Sequence, residues 1–182
     1  MVSDNQIISG LKDEKQKEKA FHQLVSAYKE RLYWHIRKIV LNHEDADDIL
    51  QNTFIKVWRN IHSFREESGL FTWLYRIATN ESISFLNQQK RRKLVSTDEE
   101  LGDYLLENLH SDPYFNGDDI QRKLQEAILR LPEKQRLVFN MRYFDEIKYQ
   151  DMEKILETSE GALKASYHHA VKKIENYLRS SD

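Results

Sequence analysis

Cationic and amide side chains recur along one helical stripe in the middle of the chain. The stripe includes Arg76, Asn80 and Asn87, and it ends in four consecutive basic residues, 90–93. Residues three or four positions apart share a helix face, so these groups form one continuous cationic surface. Such a surface suits the phosphate backbone of a nucleic acid.

A loop at residues 61–69 precedes this stripe and mixes aromatic, basic and hydrogen-bonding groups. Its central members are Ser63, Phe64 and Arg65. Aromatic rings can stack on an unpaired base while neighbouring polar groups contact the edge of the base. The loop is therefore interpreted as a site for an unstacked base.

Four acids, Glu44, Asp45, Asp47 and Asp48, begin a second predicted helix. Acids in a first turn interact favourably with the helix dipole, and no histidine or glycine-loop pattern accompanies them. We predict no metal site and no cofactor. A helical hydrolase using Glu44, Asp47 and Asp48 is an alternative, but no nucleophile–base pair or phosphate loop supports it. The sequence contains no cysteine, which excludes disulfides and thiol chemistry.

The outer face of the same helix carries Asp48, Gln51, Asn52 and Ile55. An isolated apolar residue among polar ones is common on protein surfaces. The alternative interpretation is a docking face for another protein.

The C-terminal part has the pattern of a helix-turn-helix. A short predicted helix, Tyr149 to Leu156, is followed by a three-residue turn and a longer helix, in which Ser159 is a suitable N-cap and Gly161 leaves room for a partner. A helical hairpin without DNA binding would show a similar pattern. The adjacent His168 and His169 point about 100° apart on a helix, so no shared metal is predicted.

The composition and periodicity of the chain indicate an all-α fold. Hydrophobic residues make up 40% of the 182 residues, with only five glycines and two prolines, and apolar residues recur at helical spacing. Residues 94–119 contain eight acids and no lysine or arginine, between two mildly basic blocks. We therefore predict two small helical domains, 1–93 and 120–182, joined by an acidic linker, 94–119. The linker is interpreted as a solvated tether or as a polyanion mimic of nucleic acid.

The sequence shows no signal of membrane insertion or export. No apolar run approaches the ~20 residues that span a bilayer, and the first five residues are polar. A cytoplasmic location is expected.

Several motifs, in register, resemble the two-domain sigma factors of the extracytoplasmic-function (ECF) type, which are bacterial transcription initiation factors of the sigma-70 family. The resemblance covers nearly the whole chain. It is carried by 45–58, by Phe64-Arg65 with 71–80, by 131–136 and by 161–164.

This resemblance implies three sets of binding residues. One set docks on core RNA polymerase, the second reads and helps to melt the minus-10 element, and the third reads the minus-35 element in the major groove. They are Asp48, Gln51, Asn52 and Ile55 for polymerase; Lys56, Ser63, Phe64, Arg65, Arg76, Asn80, Lys90, Arg91 and Arg92 for the minus-10 element; and Ser159, Gly161, Lys164, Ala165, His168, His169 and Lys172 for the minus-35 element.

The resemblance also implies partners and the absence of catalysis. Core RNA polymerase and promoter DNA are the expected partners, an anti-sigma factor is typical of the family, and the linker would thread the channel that later carries RNA. The chemistry of RNA synthesis belongs to the polymerase, so the chain is expected not to be an enzyme. The near-neutral charge of 120–182 favours an alternative, a polymerase- or sigma-binding regulator that does not read DNA. The sequence departs from the family pattern at Asn52, where Glu is frequent, and at Ser166 and His169, where Arg is frequent.

Overall fold

The computed structural model describes residues 3–64, 68–93, 97–110 and 119–180. These residues form nine α-helices and one short 3-10 helix, Ile61–Ser63, and no strand occurs among them, so the predicted all-α fold is confirmed. The α-helices are α1 (Asp4–Lys12), α2 (Lys17–Val40), α3 (His43–Asn60), α4 (Leu70–Lys93), α5 (Asp98–His110), α6 (Asp119–Leu129), α7 (Glu133–Tyr143), α8 (Tyr149–Leu156) and α9 (Glu160–Ser180).

The N-terminal domain is a bundle in which α2, α3 and α4 pack against one another. Helix α2 ends where Leu41 adopts a left-handed conformation (φ 62°), and α3 begins where the Asn42 side chain accepts a hydrogen bond from the Asp45 amide at 3.0 Å. Trp58 of α3 is 39% exposed, whereas the polar Thr72 of α4 is buried.

The first helix was not predicted, because the chain begins with polar residues. Ser3 and Gln6 form a reciprocal capping box at its start. Its buried Ile7 packs in the core, and Asp4 accepts a hydrogen bond of 2.8 Å from the Tyr28 hydroxyl on α2. Burial, and then the hydrogen bond to this carboxylate, raise the pKa of Tyr28. Helix α1 is thus an integral part of the N-terminal domain.

The C-terminal domain contains the predicted helix-turn-helix. Pro132 is the N-cap of α7. A backbone N–H at the start of a helix has no partner within the helix, so proline loses no hydrogen bond there. Helix α8 begins at Tyr149 and ends at Leu156, as predicted, and its C-cap residue, Glu157, adopts a left-handed conformation (φ 51°). A second core of this domain forms between α6, α7 and α9.

Part of the predicted linker is folded. The interpretation of the acidic strip as a solvated tether is wrong for residues 98–110, which form α5. Four leucines of α5 are buried because they recur at helical spacing between the acids, and Lys93 lies over the Tyr104 ring at 3.9 Å. A Cβ on the buried Gly102 would lie 2.7 Å from the Leu129 carbonyl oxygen, so glycine permits the close approach of α5 to α6. The buried leucines are Leu101, Leu105, Leu106 and Leu109.

The two domains lie directly against each other. Helix α8 packs on α4, and α7 touches α2. Side chains of both domains belong to one continuous hydrophobic cluster, in which Leu32 and Leu86 of the first domain join Met141 and Met152 of the second. None of the helices in the described ranges is both long and apolar enough to cross a bilayer.

Candidate polymerase and nucleic-acid interface

The face of α3 assigned to polymerase is open to solvent. Asp48, Gln51, Asn52 and Ile55 follow one another at helical spacing, and all four are exposed. Ile55 is 47% exposed, so this face has an apolar centre with polar neighbours. That composition suits docking of another protein.

The acidic residues in the first turn of α3 are those expected at a helix N-terminus. Asp45 has a raised pKa, first because it is partly buried and then because Asp48 and Glu44 lie nearby. His43 lies 3.5 Å from Asp47, one helical turn away. Across the described ranges, no group of three or more histidine or carboxylate side chains has the geometry of a metal site.

Of the predicted base-binding loop, the structure describes residues 61–64 and 68–69. The Phe64 ring packs on Trp73 of α4, with centroids 5.1 Å apart, and Ser63 donates a 2.7 Å hydrogen bond to the Asn60 carbonyl. Beside Phe64 lies a cavity of about 270 Å³, whose other wall includes Ile8 and Leu11 of α1. Arg65, the next predicted residue, lies outside the described residues.

The predicted minus-10 residues occupy two faces of α4 rather than one. Arg91 and Arg92 border an open groove of about 650 Å³ between α3 and α4, which Asn52 also lines. Lys56 of α3 pairs with Glu81 of α4 near this groove. The structure thus brings these three cations close to the polymerase face.

The other face of α4, which we call the α4 stripe, meets acids of the C-terminal domain but stays partly open, because Arg76 is exposed. It consists of Thr72, Arg76 and Lys90. Arg76 pairs with Glu157 of the helix-turn-helix, and Lys90 Nζ lies 2.5 Å from Glu133 Oε2 of α7. Asn80, at the edge of the stripe, is exposed.

A buried polar cluster joins the domains behind the stripe. His35 Nδ1 lies 2.7 Å from Asp145 Oδ2, and Lys38 Nζ lies 2.7 Å from the other oxygen of that carboxylate. The second ring nitrogen of His35 lies 2.8 Å from the Thr79 hydroxyl, and Asn140 donates to the Lys38 carbonyl at 3.3 Å. His35 is only 1% exposed.

The pKa of Asp145 reflects this cluster. Burial alone would raise the pKa of this carboxyl, but His35 and Lys38 outweigh burial through hydrogen bonds and charge, and hold the pKa below its ordinary value. Sequence reasoning missed the cluster. A signal was present, because His35 occupies the apolar stripe of α2 between Leu32 and Ile39, and a buried histidine needs polar partners.

The outer face of α9 is open. The side chain of Ser159 caps the helix, accepting from the Ala162 amide at 3.4 Å, and no atom lies within 4 Å of a Cβ placed on Gly161. Lys164 forms an exposed pair with Glu160 at 2.7 Å, one turn away. All of the predicted minus-35 residues are exposed: Ser159, Gly161, Lys164, Ala165, His168, His169 and Lys172.

Comparison with known proteins identifies the family to which this chain belongs. Residues 24–92 match the model of sigma-70 region 2, and residues 121–174 match that of sigma-70 region 4. A two-domain helical chain of this kind is therefore a sigma-70-type factor. More narrowly, the chain belongs to the ECF sigma factors, as its motifs predicted.

The relatives agree across most of the chain. The ECF RNA polymerase sigma-E factor of Haemophilus influenzae is 30% identical over 168 residues, which is 88% of each protein. ECF sigma factor SigW of Bacillus subtilis is also 30% identical, over 88% of this chain and 89% of SigW.

Two solved structures share the fold. One is CnrH in complex with the cytosolic domain of CnrY (TM-score 0.69, 19% identity, 98% of this chain and 96% of that chain). The other is sigma factor RpoE in complex with the anti-sigma factor NepR from Bartonella quintana (TM-score 0.68, 21% identity, 88% of this chain and 98% of that chain).

Proposed function

We propose that this chain binds core RNA polymerase, directs it to specific promoters and helps to open the minus-10 element. The observation that carries the proposal is the pairing of region 2 and region 4 matches with two exposed binding faces, one on α3 and one on α9. In this role the chain supplies recognition, and the polymerase supplies the chemistry.

Polymerase docks on α3. Its partner face surrounds Ile55 with Asp48, Gln51 and Asn52, so an apolar contact at the centre is enclosed by hydrogen-bonding groups. Apolar centres with polar rims are usual in protein–protein interfaces.

In this proposal, the minus-10 DNA lies along α4. Arg76, Asn80 and Lys90 contact phosphates and base edges of the separated strand, and Phe64 borders the cavity that receives an extruded base. Unstacking a base costs a few kcal/mol, and a pocket for the base recovers part of that cost.

Minus-35 DNA binds α9 in its major groove. The side chains at the N-terminal half of the helix, among them Lys164 and His168, face outward and can reach base edges and phosphates. The exposed helix start at Gly161 admits the DNA backbone closely.

In vitro transcription tests the whole proposal. Core polymerase is incubated with a pool of random promoter fragments, with and without this chain, and the transcripts are sequenced. We expect new transcripts that depend on the chain and share two promoter elements. Polymerase binding without any such transcripts would instead support the second candidate, a regulator that does not read DNA, which the pairing of Arg76 and Lys90 with acids of the C-terminal domain favours.

We further propose that an anti-sigma factor holds this chain inactive in the cytoplasm. Support comes from the two structural neighbours, of which RpoE is in complex with the anti-sigma factor NepR and CnrH with the cytosolic domain of CnrY. Purification of the chain from its native cell, followed by identification of a stoichiometric partner that blocks transcription, tests this point.

A further inference from the structure

We propose that the groove between α3 and α4 extends the polymerase-docking face, and that Arg91 and Arg92 at its end bind carboxylates on a helical segment of core RNA polymerase. This inference rests on the proposed function of α3. It gives the two arginines a protein partner in place of the minus-10 DNA that the family resemblance implies for them.

The geometry of α4 places its terminal cations on two sides of the helix. Successive residues of an α-helix point about 100° apart, so Arg92 points almost opposite to Lys90. Lys90 lies against Glu133 of the C-terminal domain, whereas Arg91 and Arg92 border the groove on the side of α3. A DNA strand that contacts Arg76 and Lys90 therefore lies on the other side of α4 from these two arginines.

The groove is continuous with the face of α3 that docks polymerase. Asn52 belongs to both surfaces, and Ile49, three residues before it, also lines the groove. On the α4 side, the partly buried Phe85 supplies apolar surface and the exposed Gln88 supplies hydrogen-bonding groups. A partner that covers Ile55 can therefore extend into the groove across a surface with the composition of a protein interface.

The charges of the groove favour an acidic partner. Glu81, which also lines the groove, is paired with Lys56, so its charge is compensated. Among the described residues neither arginine pairs with an acid, and Arg91 Nε donates to the Asn87 carbonyl of its own helix at 3.3 Å. Both arginine side chains are exposed, and guanidinium groups bind carboxylates through paired N–H donors.

Shape and charge favour a protein helix over DNA as the occupant of the groove. The groove is open, has a volume of about 650 Å³ and lies between two packed helices, a setting in which amphipathic helices commonly bind. The exposed Asp48 directly precedes Ile49, and its negative charge opposes a phosphate backbone at this edge. The occupant is therefore a helix with apolar residues toward Phe85 and carboxylates toward the arginines.

Photocrosslinking of the full chain to purified core polymerase tests where this partner lies. Because the chain has no cysteine, Gln88→Cys carries a single thiol-linked benzophenone at an exposed site in the groove. We expect a crosslink to polymerase, which mass spectrometry should map to a helix that carries acids. Addition of Ile55→Asp to the same chain should abolish the crosslink, because the two surfaces bind one partner.

Affinity measurements test the two arginines. The test variant carries Arg91→Gln and Arg92→Gln, and a matched control carries Arg122→Gln and Arg179→Gln, at two exposed arginines of the C-terminal domain. We expect only the test variant to bind core polymerase about tenfold more weakly, with a difference that shrinks as salt is added, because ions screen exposed charges. Affinity for a random-sequence 12-nucleotide single-stranded DNA should be the same in both variants. Circular dichroism checks the helicity of each.

Two results would overturn the inference and leave the proposed function intact. One is equal polymerase affinity in the test and control variants, and a loss of DNA affinity confined to the test variant would then return the arginines to the minus-10 DNA. The other is the absence of a crosslink from Gln88→Cys while Ile55→Asp still weakens polymerase binding. If Ile55→Asp changes neither the crosslink nor polymerase affinity, the error lies in the proposed function of α3.

Discussion

The two helices assigned to DNA differ in their surroundings. Helix α9 presents its predicted contacts to solvent, whereas α4 presents Arg76 and Lys90 to carboxylates of the other domain. Both helices carry cations at helical spacing, so their sequences alone do not distinguish them. A helix with this cationic spacing can therefore lie open to solvent or face acids of the neighbouring domain, depending on its surroundings.

The chemistry of the two DNA targets gives this contrast a purpose. In the proposed function, α9 binds duplex DNA, which is always present, and α4 binds a strand that exists only after melting.

The largest expected effect comes from the exposed face of α3 around Ile55. Ile55→Asp should weaken binding to core polymerase by about 100-fold, because a charge replaces the apolar centre of the interface. The variant should keep its helicity, since Ile55 is exposed. Fluorescence anisotropy of labelled chain titrated with core polymerase measures the change.

A matched control is available for this substitution. Ile120→Asp introduces the same charge at another exposed isoleucine, on α6, and should leave polymerase affinity unchanged. Equal losses in the two variants would show that Ile55 acts through net charge or folding and not through contact.

The second effect weakens the seam between the domains, which is formed by the buried contacts of His35 and Lys38 with Asp145. Asp145→Asn leaves Lys38 and His35 without their carboxylate, and should lower the free energy of unfolding by about 2–3 kcal/mol near pH 7. Because the folded pKa of Asp145 is depressed, its contribution is complete above the unfolded pKa of about 3.9 and is lost as the pH falls through the lower folded value.

Urea unfolding at several pH values measures this effect. The difference between the wild type and Asp145→Asn should be constant from pH 5 to pH 7 and shrink only in strong acid. Asp103→Asn, at an exposed aspartate of α5, should change stability little. A stability of Asp145→Asn equal to that of Asp103→Asn at pH 7 would show that the seam does not depend on this carboxylate.

The third effect compares the two DNA helices directly. Lys164→Gln on open α9 should weaken binding of the free chain to duplex DNA by about threefold to tenfold and reduce the salt slope by ~1, as expected for one phosphate contact. Arg76→Gln on α4, which the proposed function assigns to the separated strand, should leave binding to duplex DNA unchanged. Titrations of free chain at several salt concentrations provide the measurement, and equal losses for both variants would contradict the assignment of duplex binding to α9.

The smallest effect concerns Asn80, which lies exposed at the edge of the α4 stripe. Asn80→Ala should slow promoter opening by about threefold, the value of one lost hydrogen bond, while polymerase affinity stays the same. Permanganate reactivity of the opened strand measures opening. A parallel loss of polymerase affinity would give Asn80 a structural role instead.

Local features of the fold could be predicted from the sequence because their causes are local. Helix α8 follows from apolar spacing and the turn after Leu156, and the start of α7 follows from Pro132. Helix α5 was not predicted, because the negative charge of this segment suggested a solvated linker. The leucines at 101, 105, 106 and 109 nevertheless recur at helical spacing.

The seam could not be predicted in the same way. His35 and Asp145 are 110 positions apart, and the pairing of Arg76 with Glu157 spans 81. Periodicity reports which face of a helix is buried, but not which distant segment covers it. The assignment of Ile55 to an exposed docking face needed only local information, and the exposed position that it required is present in the structure.

The hydrophobic cluster shared by both domains has a consequence for the energetics of folding. Since Leu32 and Met141 lie in one apolar cluster, neither domain can melt without exposing part of the other. Differential scanning calorimetry of the free chain should therefore show one heat-absorption peak, with a calorimetric enthalpy equal to the van't Hoff enthalpy. Separation of the two domains would expose this shared apolar surface, so any partner that separates them must supply the free energy of that exposure.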